Sequence, residues 1–182
     1  MAVCVGTGPS QVPYLRELVR RYGIVVGIDQ DSSSPGSDLC TTTLTASTHS
    51  PTEAWGCLRL WLQTEGVRVA TVVGPCTGAP LRTVQFIRRQ LGMRAMIPSA
   101  VDVLLDKTLL RKALNDSGAS RIRTGYELEL SGGPVVAKPR MNGMGGLGVK
   151  KFESYEAARH KVSEPMGNSL HVEEWIVGRE LA

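Results

Sequence analysis

Short apolar runs alternate with segments of helical periodicity along the first half of the chain, and this alternation constrains the fold more than any other feature. The apolar runs, which predict buried strands, cover residues 2–6, 24–28, 39–44 and 67–73. Helical spacing predicts helices at 12–22, 51–64 and 80–91. Strands that alternate with helices are typical of a parallel sheet covered by helices on its faces. The sequence therefore predicts an α/β, Rossmann-like domain over residues 1–98.

The pattern changes after Ser99, where strands and helices no longer alternate regularly. A helix is predicted over 106–117 with Gly118 at its end, and a shorter helix begins at Ser154 and ends near Val162. Apolar or alternating runs predict strands at 126–130, 134–138, 149–152 and 169–176. Strands joined by a glycine-rich loop and followed by a helix predict a small α+β unit over residues 99–182.

The composition is that of an ordinary globular protein, with 42% hydrophobic and 21% charged residues among 182. The net charge of +4 is spread without a basic block, so it gives no argument for a nucleic-acid partner. A mildly positive balance suits a small anionic ligand such as a nucleotide. Because the sequence has no apolar run of about 18 residues and no basic-then-apolar N-terminus, we expect neither a membrane span nor a signal peptide.

The cysteines show no CxxC spacing, which argues against a zinc site or a disulfide framework; they are Cys4, Cys40, Cys57 and Cys76. Reduced, partly buried thiols in a cytoplasmic protein are the better interpretation.

The turn after the first predicted strand, residues 6–11, resembles the dinucleotide-binding fingerprint GxGxxG, and Asp29 follows at the distance of the ribose-binding acidic residue. Gln11 stands in place of the third glycine, and Pro9 removes one backbone N–H from the loop. These departures favour a plain strand-to-helix turn or a substrate-binding turn. A NAD-linked oxidoreductase stays as the less favoured alternative.

Lys138 ends an apolar run, and a loop with four glycines in seven residues, 142–148, follows it. A lysine that leaves a buried strand is costly unless it meets an anion. The glycines free backbone N–H groups to contact phosphate oxygens. This combination predicts a phosphate-binding site, and the alternative is a flexible hairpin with solvated lysines.

Asp106 and Lys107 stand at the start of the helix predicted over 106–117. Asp106 is a predicted N-cap. Lys107 in the first turn opposes the helix dipole, and a phosphate held between the helix end and Lys107 would remove this conflict.

Acidic residues alternate with apolar ones over 171–180. The alternation fits an edge strand whose acidic side chains, Glu173 and Glu174 among them, point outward to solvent. Carboxylates are also suitable acceptors for a ribose diol or an adenine amino group. Both interpretations stay open at this point.

These motifs occur in the order DKxxxR, VVxKPRxxGxGGxGV and VEEWIxGRE. In this order and spacing they resemble the ATP-grasp superfamily of ligases, and the opening VGTGPSQVPYLRELVRRYGIVVGIDQD is similar to its Rossmann-like pre-ATP-grasp domain. The KPR segment and the doubled glycine are similar to carboxylate–amine ligases and to carbamoyl-phosphate-synthase-like members. The resemblance covers essentially the whole chain.

The resemblance implies that residues 99–182 are a partial ATP-grasp domain and that this domain carries the ATP site. Lys107 and Lys138 correspond to the family's phosphate-binding lysines. The mobile loop that covers the phosphates in this family corresponds to the segment that contains Gly143, Gly145, Gly146 and Gly148.

The resemblance also implies where the adenosine end of the nucleotide would bind. Glu173 would lie near the adenine amino group, and backbone groups of Glu174 and Ile176 would contact the adenine edge. Glu180 would take the ribose hydroxyls. Val136 and Ile176 would form walls of an apolar adenine slot.

The resemblance implies a reaction that joins a small carboxylate substrate to an amine through an acyl-phosphate made from ATP, with magnesium at the phosphates. Family members continue beyond the GRE segment, and that portion supplies the metal-binding carboxylates and asparagine. We therefore expect the catalytic and metal-binding residues beyond Ala182, and no turnover by these 182 residues alone. A non-catalytic nucleotide-binding or regulatory module stays as the alternative, and a homo-oligomer is left open.

Overall fold

Two separate sheets organise the chain, one parallel and one antiparallel. The computed structural model describes residues 1–75, 78–141, 147–162 and 170–178. The chain divides into two compact units, Met1–Val101 and Asp102–Ala182, whereas the sequence placed the boundary at residue 98. The predicted fold class, a parallel α/β unit followed by a small α+β unit, is confirmed. Within the described residues, no helix has the length and apolar character needed to cross a bilayer.

Four parallel strands form the sheet of the first unit. They are β1 (Ala2–Val5), β2 (Val25–Asp29), β3 (Thr42–Thr45) and β4 (Thr71–Val73), in the spatial order β3-β2-β1-β4. All four side chains of β1 are buried, because a central strand of a parallel sheet is covered by helices on both faces. β4 is shorter than predicted, since only the last three residues of the run 67–73 pair with β1.

Helices cover both faces of this sheet. α1 (Val12–Tyr22) packs Leu15 and Leu18 against Ala2 and Cys4. α2 (Pro51–Glu65) and α3 (Pro80–Gln90) lie on the other face, where their apolar side chains join Val3 and the alternate residues of the strands. The helices predicted at 12–22, 51–64 and 80–91 are confirmed to within a residue.

Two helices have features that the apolar spacing by itself does not predict. Ser50 precedes α2, but its side chain makes no capping hydrogen bond, and the Glu53 carboxylate accepts from the backbone N–H of Ser47 at 3.0 Å instead. A further helix, α4 (Pro98–Leu105), was not predicted. Proline at its first position and the buried pair Val101 and Leu105, four residues apart, are the signals that could have identified it.

Three antiparallel strands form the sheet of the second unit. They are β5 (Val135–Pro139), β6 (Lys150–Phe152) and β7 (Leu170–Glu174), with β5 in the centre. The helices are α5 (Lys107–Asp116), α6 (Tyr126–Ser131) and α7 (Tyr155–Val162). Leu128, Val135 and Ala158 form the buried core on one face of this sheet.

The prediction of a strand at 126–130 is wrong, because this segment is the helix α6. Its Glu-Leu alternation imitates a strand, but of its two leucines Leu128 is buried and Leu130 is 73% exposed. Leucine and glutamate are good helix formers, so the segment can form one short helix that buries a single leucine. Gly125 and Gly132 flank the helix with positive φ angles of 59° and 63°. Backbone with such angles cannot continue a helix or a strand, so α6 ends at both glycines.

Candidate functional site

The strand register brings several polar side chains of the second unit onto one face of its sheet. Lys138 on β5 stands opposite His171 on β7, and Val136 stands opposite Glu173. Successive residues of a strand point to opposite faces, so these four share one face. Val135 belongs to the opposite face, which packs on the core.

The carboxylate of Glu173 is the centre of this polar face, and the residue is only 7% exposed. Its Oε1 accepts a hydrogen bond from Nζ of Lys138 in an ion pair. Its Oε2 lies 3.0 Å from Nη2 and 3.2 Å from Nε of Arg111, and 3.1 Å from Nε2 of His171. The expectation of a solvent-facing side chain is wrong for Glu173, because residues of α5 contact this face and neutralise the carboxylate.

Two opposing effects determine the pKa of Glu173. Burial raises the pKa, because it penalises the charged form. Hydrogen bonds from His171 and Lys138, together with the charges of Lys138 and Arg111, outweigh burial and lower the pKa to about 2. Glu173 is therefore an ionised, buried carboxylate at neutral pH.

Arg111 and His171 were not among the predicted site residues. Arg111 is anchored at its other end, because its Nη1 donates to Oγ of Ser120 at 3.0 Å. Nδ1 of His171 lies 3.2 Å from Oγ1 of Thr108. Arg111 follows Lys107 by four residues on one helix, and this spacing on a shared helix face is the sequence signal that could have identified it.

Asp106 caps α5, as predicted. Its Oδ1 accepts from the backbone N–H groups of Thr108 at 2.9 Å and Leu109 at 3.3 Å. Arg140, just beyond β5, donates to both carboxylate oxygens at 2.7 and 2.8 Å. The hydrogen bond from Arg140 is the largest of the effects that lower the pKa of Asp106.

The first turn of α5 is tied to the end of β5. The backbone N–H of Lys107 donates to the carbonyl oxygen of Arg140 at 3.0 Å, two residues beyond Lys138. Within the described parts of the chain, the Lys107 ammonium has no ion-pair partner. The backbones of Lys107 and Lys138, the two lysines predicted to bind phosphate, thus lie near the same end of β5.

One of the four predicted loop glycines lies within the described residues. Gly148 has a φ angle of 77°, and a Cβ atom there would lie 2.9 Å from Cγ of Pro139. The end of the loop therefore passes over the residue after Lys138 at a separation that only glycine permits. Gly143, Gly145 and Gly146 lie outside the described residues.

The residues that follow Glu173 have separate surroundings. Arg123 binds the Glu174 carboxylate with its backbone N–H at 3.0 Å and with Nε at 2.6 Å, and the backbone hydrogen bond is the larger cause of the lowered pKa of Glu174. The backbone N–H of Glu174 donates to the carbonyl oxygen of Arg123. Ile176 is 60% exposed, and Glu180 lies outside the described residues.

The glycine turn of the first unit is closed by its own side chains. The backbone N–H of Thr7 donates to Oδ2 of Asp29 at 2.7 Å, and the Thr7 hydroxyl contacts the Ser34 hydroxyl. The carbonyl oxygen of Thr7 accepts from the N–H of Gly36 at 2.7 Å. Because these groups occupy the polar atoms of a fully buried Thr7, the geometry favours a plain strand-to-helix turn over a dinucleotide site.

The cysteines have different surroundings. Cys4 is buried, Cys40 and Cys57 are partly buried free thiols, and Cys76 lies outside the described residues. In the ranges that the structure describes, no three His, Cys, Asp or Glu side chains are grouped so that they could hold a metal ion.

Comparisons with family models and with curated proteins give no match to this chain. Solved structures match it along nearly its whole length. N5-carboxyaminoimidazole synthetase from Staphylococcus aureus, complexed with ADP, matches with a TM-score of 0.71 and 15% identity over 98% of this chain and 48% of that chain. Carboxyaminoimidazole ribonucleotide synthase from Aspergillus clavatus, complexed with ATP, matches with a TM-score of 0.66 and 18% identity over 96% and 47%.

An L-amino acid ligase from Bacillus licheniformis matches with a TM-score of 0.65 and 12% identity, over 97% of this chain and 44% of that chain. The chain therefore spans about half the length of the solved structures that it matches. At these identities the likeness concerns the fold, and it confirms the fold that the sequence motifs predicted.

Proposed function

We propose that this chain, which has the fold of the N-terminal part of ATP-grasp ligases, binds ATP or ADP on the polar face of its antiparallel sheet. The parent reaction is the ATP-dependent joining of a small carboxylate substrate to an amine through an acyl-phosphate, in the cytoplasm. The neighbours in fold include synthetases and a ligase, two of them in complex with ADP or ATP.

The observation that carries this proposal is the shared position of Lys138 and Glu173 on one face, beside the strand end to which the start of α5 is tied. A lysine and a carboxylate a short distance apart can serve the two ends of a nucleotide. The ammonium suits a phosphate, and the ionised carboxylate accepts hydrogen bonds from an amino group.

Each end of the nucleotide has its own residues in this proposal. Lys138 and Lys107 contact the phosphates, and Gly148 lets the loop backbone approach them. Oε1 of Glu173 accepts from the adenine amino group, while Ile176 and Val136 flank the base. Lys138 then exchanges part of its contact with Glu173 for a contact with phosphate.

Binding and turnover are separate parts of the proposal. Phosphoryl transfer requires that charge on the transferring phosphate is neutralised and that the reactants are positioned. The described residues hold no cluster of three or more His, Cys, Asp or Glu side chains placed to bind a metal ion. On this proposal the 182 residues bind the nucleotide without turning it over.

Calorimetric titration of the chain with ADP, ATP and NAD tests the proposal. We expect ADP and ATP to bind and NAD to give no heat of binding, since the polar atoms of Thr7 are already paired. Binding of NAD without binding of adenine mononucleotides would contradict the proposal. Phosphate release, measured with ATP and magnesium, tests whether turnover is absent.

A further inference from the structure

We propose that Arg111 is a positioning residue that acts through Glu173: it keeps the Glu173 carboxylate ionised and turned so that Oε1 faces the nucleotide site, and it thereby determines the preference for adenine. This inference rests on the proposed function, because it assigns Oε1 to the adenine amino group.

The two oxygens of Glu173 have different partners. Oε1 contacts only Lys138 among the described residues, whereas Oε2 contacts both Arg111 and His171. A guanidinium binds a carboxylate oxygen through a rigid, planar set of donors, so it fixes the orientation of the carboxylate as well as its charge. Oε1, the oxygen that contacts Lys138, is therefore the one that can change its partner.

Arg111 is held more firmly than Lys138. Its guanidinium bridges Oε2 of Glu173 and Oγ of Ser120, and its side chain is 18% exposed. The ammonium of Lys138 sits at the end of a flexible four-carbon stem that is free to move toward a phosphate. Arg111 therefore stays beside Glu173 when Lys138 is shared with a nucleotide.

The charge of Glu173 depends on every group that faces it. These groups are Lys138 from β5, Arg111 from α5 and His171 from β7. Glu174 is a like charge that interacts with Glu173, and Arg123 binds it. When Lys138 turns to a phosphate, Arg111 is the remaining permanent cation, because histidine is charged only when protonated.

Loss of Arg111 has a chemical consequence at the adenine. A buried carboxylate with less compensation takes up a proton more readily. Without the planar guanidinium the carboxylate also loses its fixed orientation, so Oε1 no longer accepts from the amino group with the same geometry. A base with a carbonyl oxygen in place of the amino group, as in inosine diphosphate, is then disfavoured less strongly.

Three variants separate this role from a general structural one. Arg111→Gln keeps hydrogen-bonding capacity without charge, and Arg111→Lys keeps the charge without the planar fork. Lys112→Gln is the matched control, because Lys112 lies next to Arg111 on α5 but is exposed and pairs with Asp116 four residues on. The pKa of Glu173 is measured in each protein by carbon NMR of its carboxyl group, and dissociation constants are measured for ADP and IDP.

We expect the pKa of Glu173 to lie below about 3 in the parent and in Lys112→Gln, and at least about one unit higher in Arg111→Gln. The second measurement is the ratio of the IDP to the ADP dissociation constant, in which the phosphate contributions cancel. We expect this ratio to fall about tenfold in Arg111→Gln, because a tenfold change corresponds to the loss of one charge-assisted hydrogen bond. Lys112→Gln should leave the ratio unchanged, and Arg111→Lys should restore most of it.

An unchanged Glu173 pKa in Arg111→Gln, or equal loss of ADP and IDP binding, would overturn the inference. If Arg111→Gln does not fold, Arg111→Met takes its place, and an unchanged Glu173 pKa in that variant overturns the inference in the same way. A parent protein that binds neither ADP nor IDP refutes the proposed function instead, and the Glu173 pKa in the variants still decides whether Arg111 holds the carboxylate ionised.

Discussion

Lys138 and Glu173 form an ion pair across the small sheet although they are not direct partners in the strand register. Lys138 stands opposite His171, so its side chain reaches diagonally along the polar face to Oε1 of Glu173. Diagonal neighbours in antiparallel strands are within reach of long side chains. The lysine predicted for phosphate and the carboxylate predicted for adenine thus occupy each other, and a nucleotide has to compete with this pair.

Replacement of Lys138 by alanine should weaken ADP binding by about 1.5–3 kcal/mol, the value of a charge-assisted contact to phosphate. The sequence by itself assigns Lys138 no partner within the chain. Because its partner is a buried carboxylate, we now also expect a loss of about 1–3 kcal/mol in unfolding free energy. Calorimetry of the folded variant and urea unfolding measure the two effects, with Lys112→Ala as the exposed control. Normal ADP binding by Lys138→Ala would mean that this lysine is only structural.

The pKa of Glu173 predicts how stability depends on pH. Its folded-state pKa is lowered to about 2, below the ordinary value of 4.5. A group of this kind contributes stability that is fully present above its unfolded-state pKa and is lost as the pH falls toward the folded-state pKa. The contribution is about 3 kcal/mol. Urea unfolding between pH 6 and about pH 2 should show this loss, and Glu173→Gln should show a smaller one. The same pH dependence in both proteins would contradict the assignment.

Gly148→Ala should destabilise the second unit and weaken ADP binding. Alanine is strained at a φ angle of 77°, and its Cβ would lie 2.9 Å from Pro139. We expect a cost of about 1–3 kcal/mol. Gly178→Ala is the matched control, because no atom lies within 4 Å of a Cβ atom there. Equal effects of the two substitutions, measured by urea unfolding and by titration with ADP, would exclude a special role of Gly148.

A pair of leucine substitutions tests the helix α6. If 126–130 were a strand, Leu128 and Leu130 would lie on the same face and would be buried together. In the helix, Leu128 is 3% exposed and Leu130 is 73% exposed. Leu128→Ala should therefore cost about 2–4 kcal/mol of unfolding free energy, and Leu130→Ala less than about 0.5 kcal/mol. Similar costs for both would restore the strand interpretation.

The sequence by itself determined the elements that depend on local pattern. The period of the apolar residues fixed the alternating strands and helices of the first unit, because burial on two faces demands that pattern. The capping role of Asp106 was also local, since the carboxylate and the backbone N–H groups that donate to it lie within three residues. Lys138 was recognisable because a lysine at the end of a buried strand needs an anionic partner.

Only the tertiary structure decided which partners meet. Arg111 and Glu173 are 62 residues apart, and Lys138 and Glu173 are 35 apart, so no local pattern relates them. Alternation over 171–174 fits an exposed carboxylate and a buried one equally well. The strand register and the contact with α5 make Glu173 a buried, ionised group, because burial is a property of what packs against a side chain and not of its neighbours in sequence.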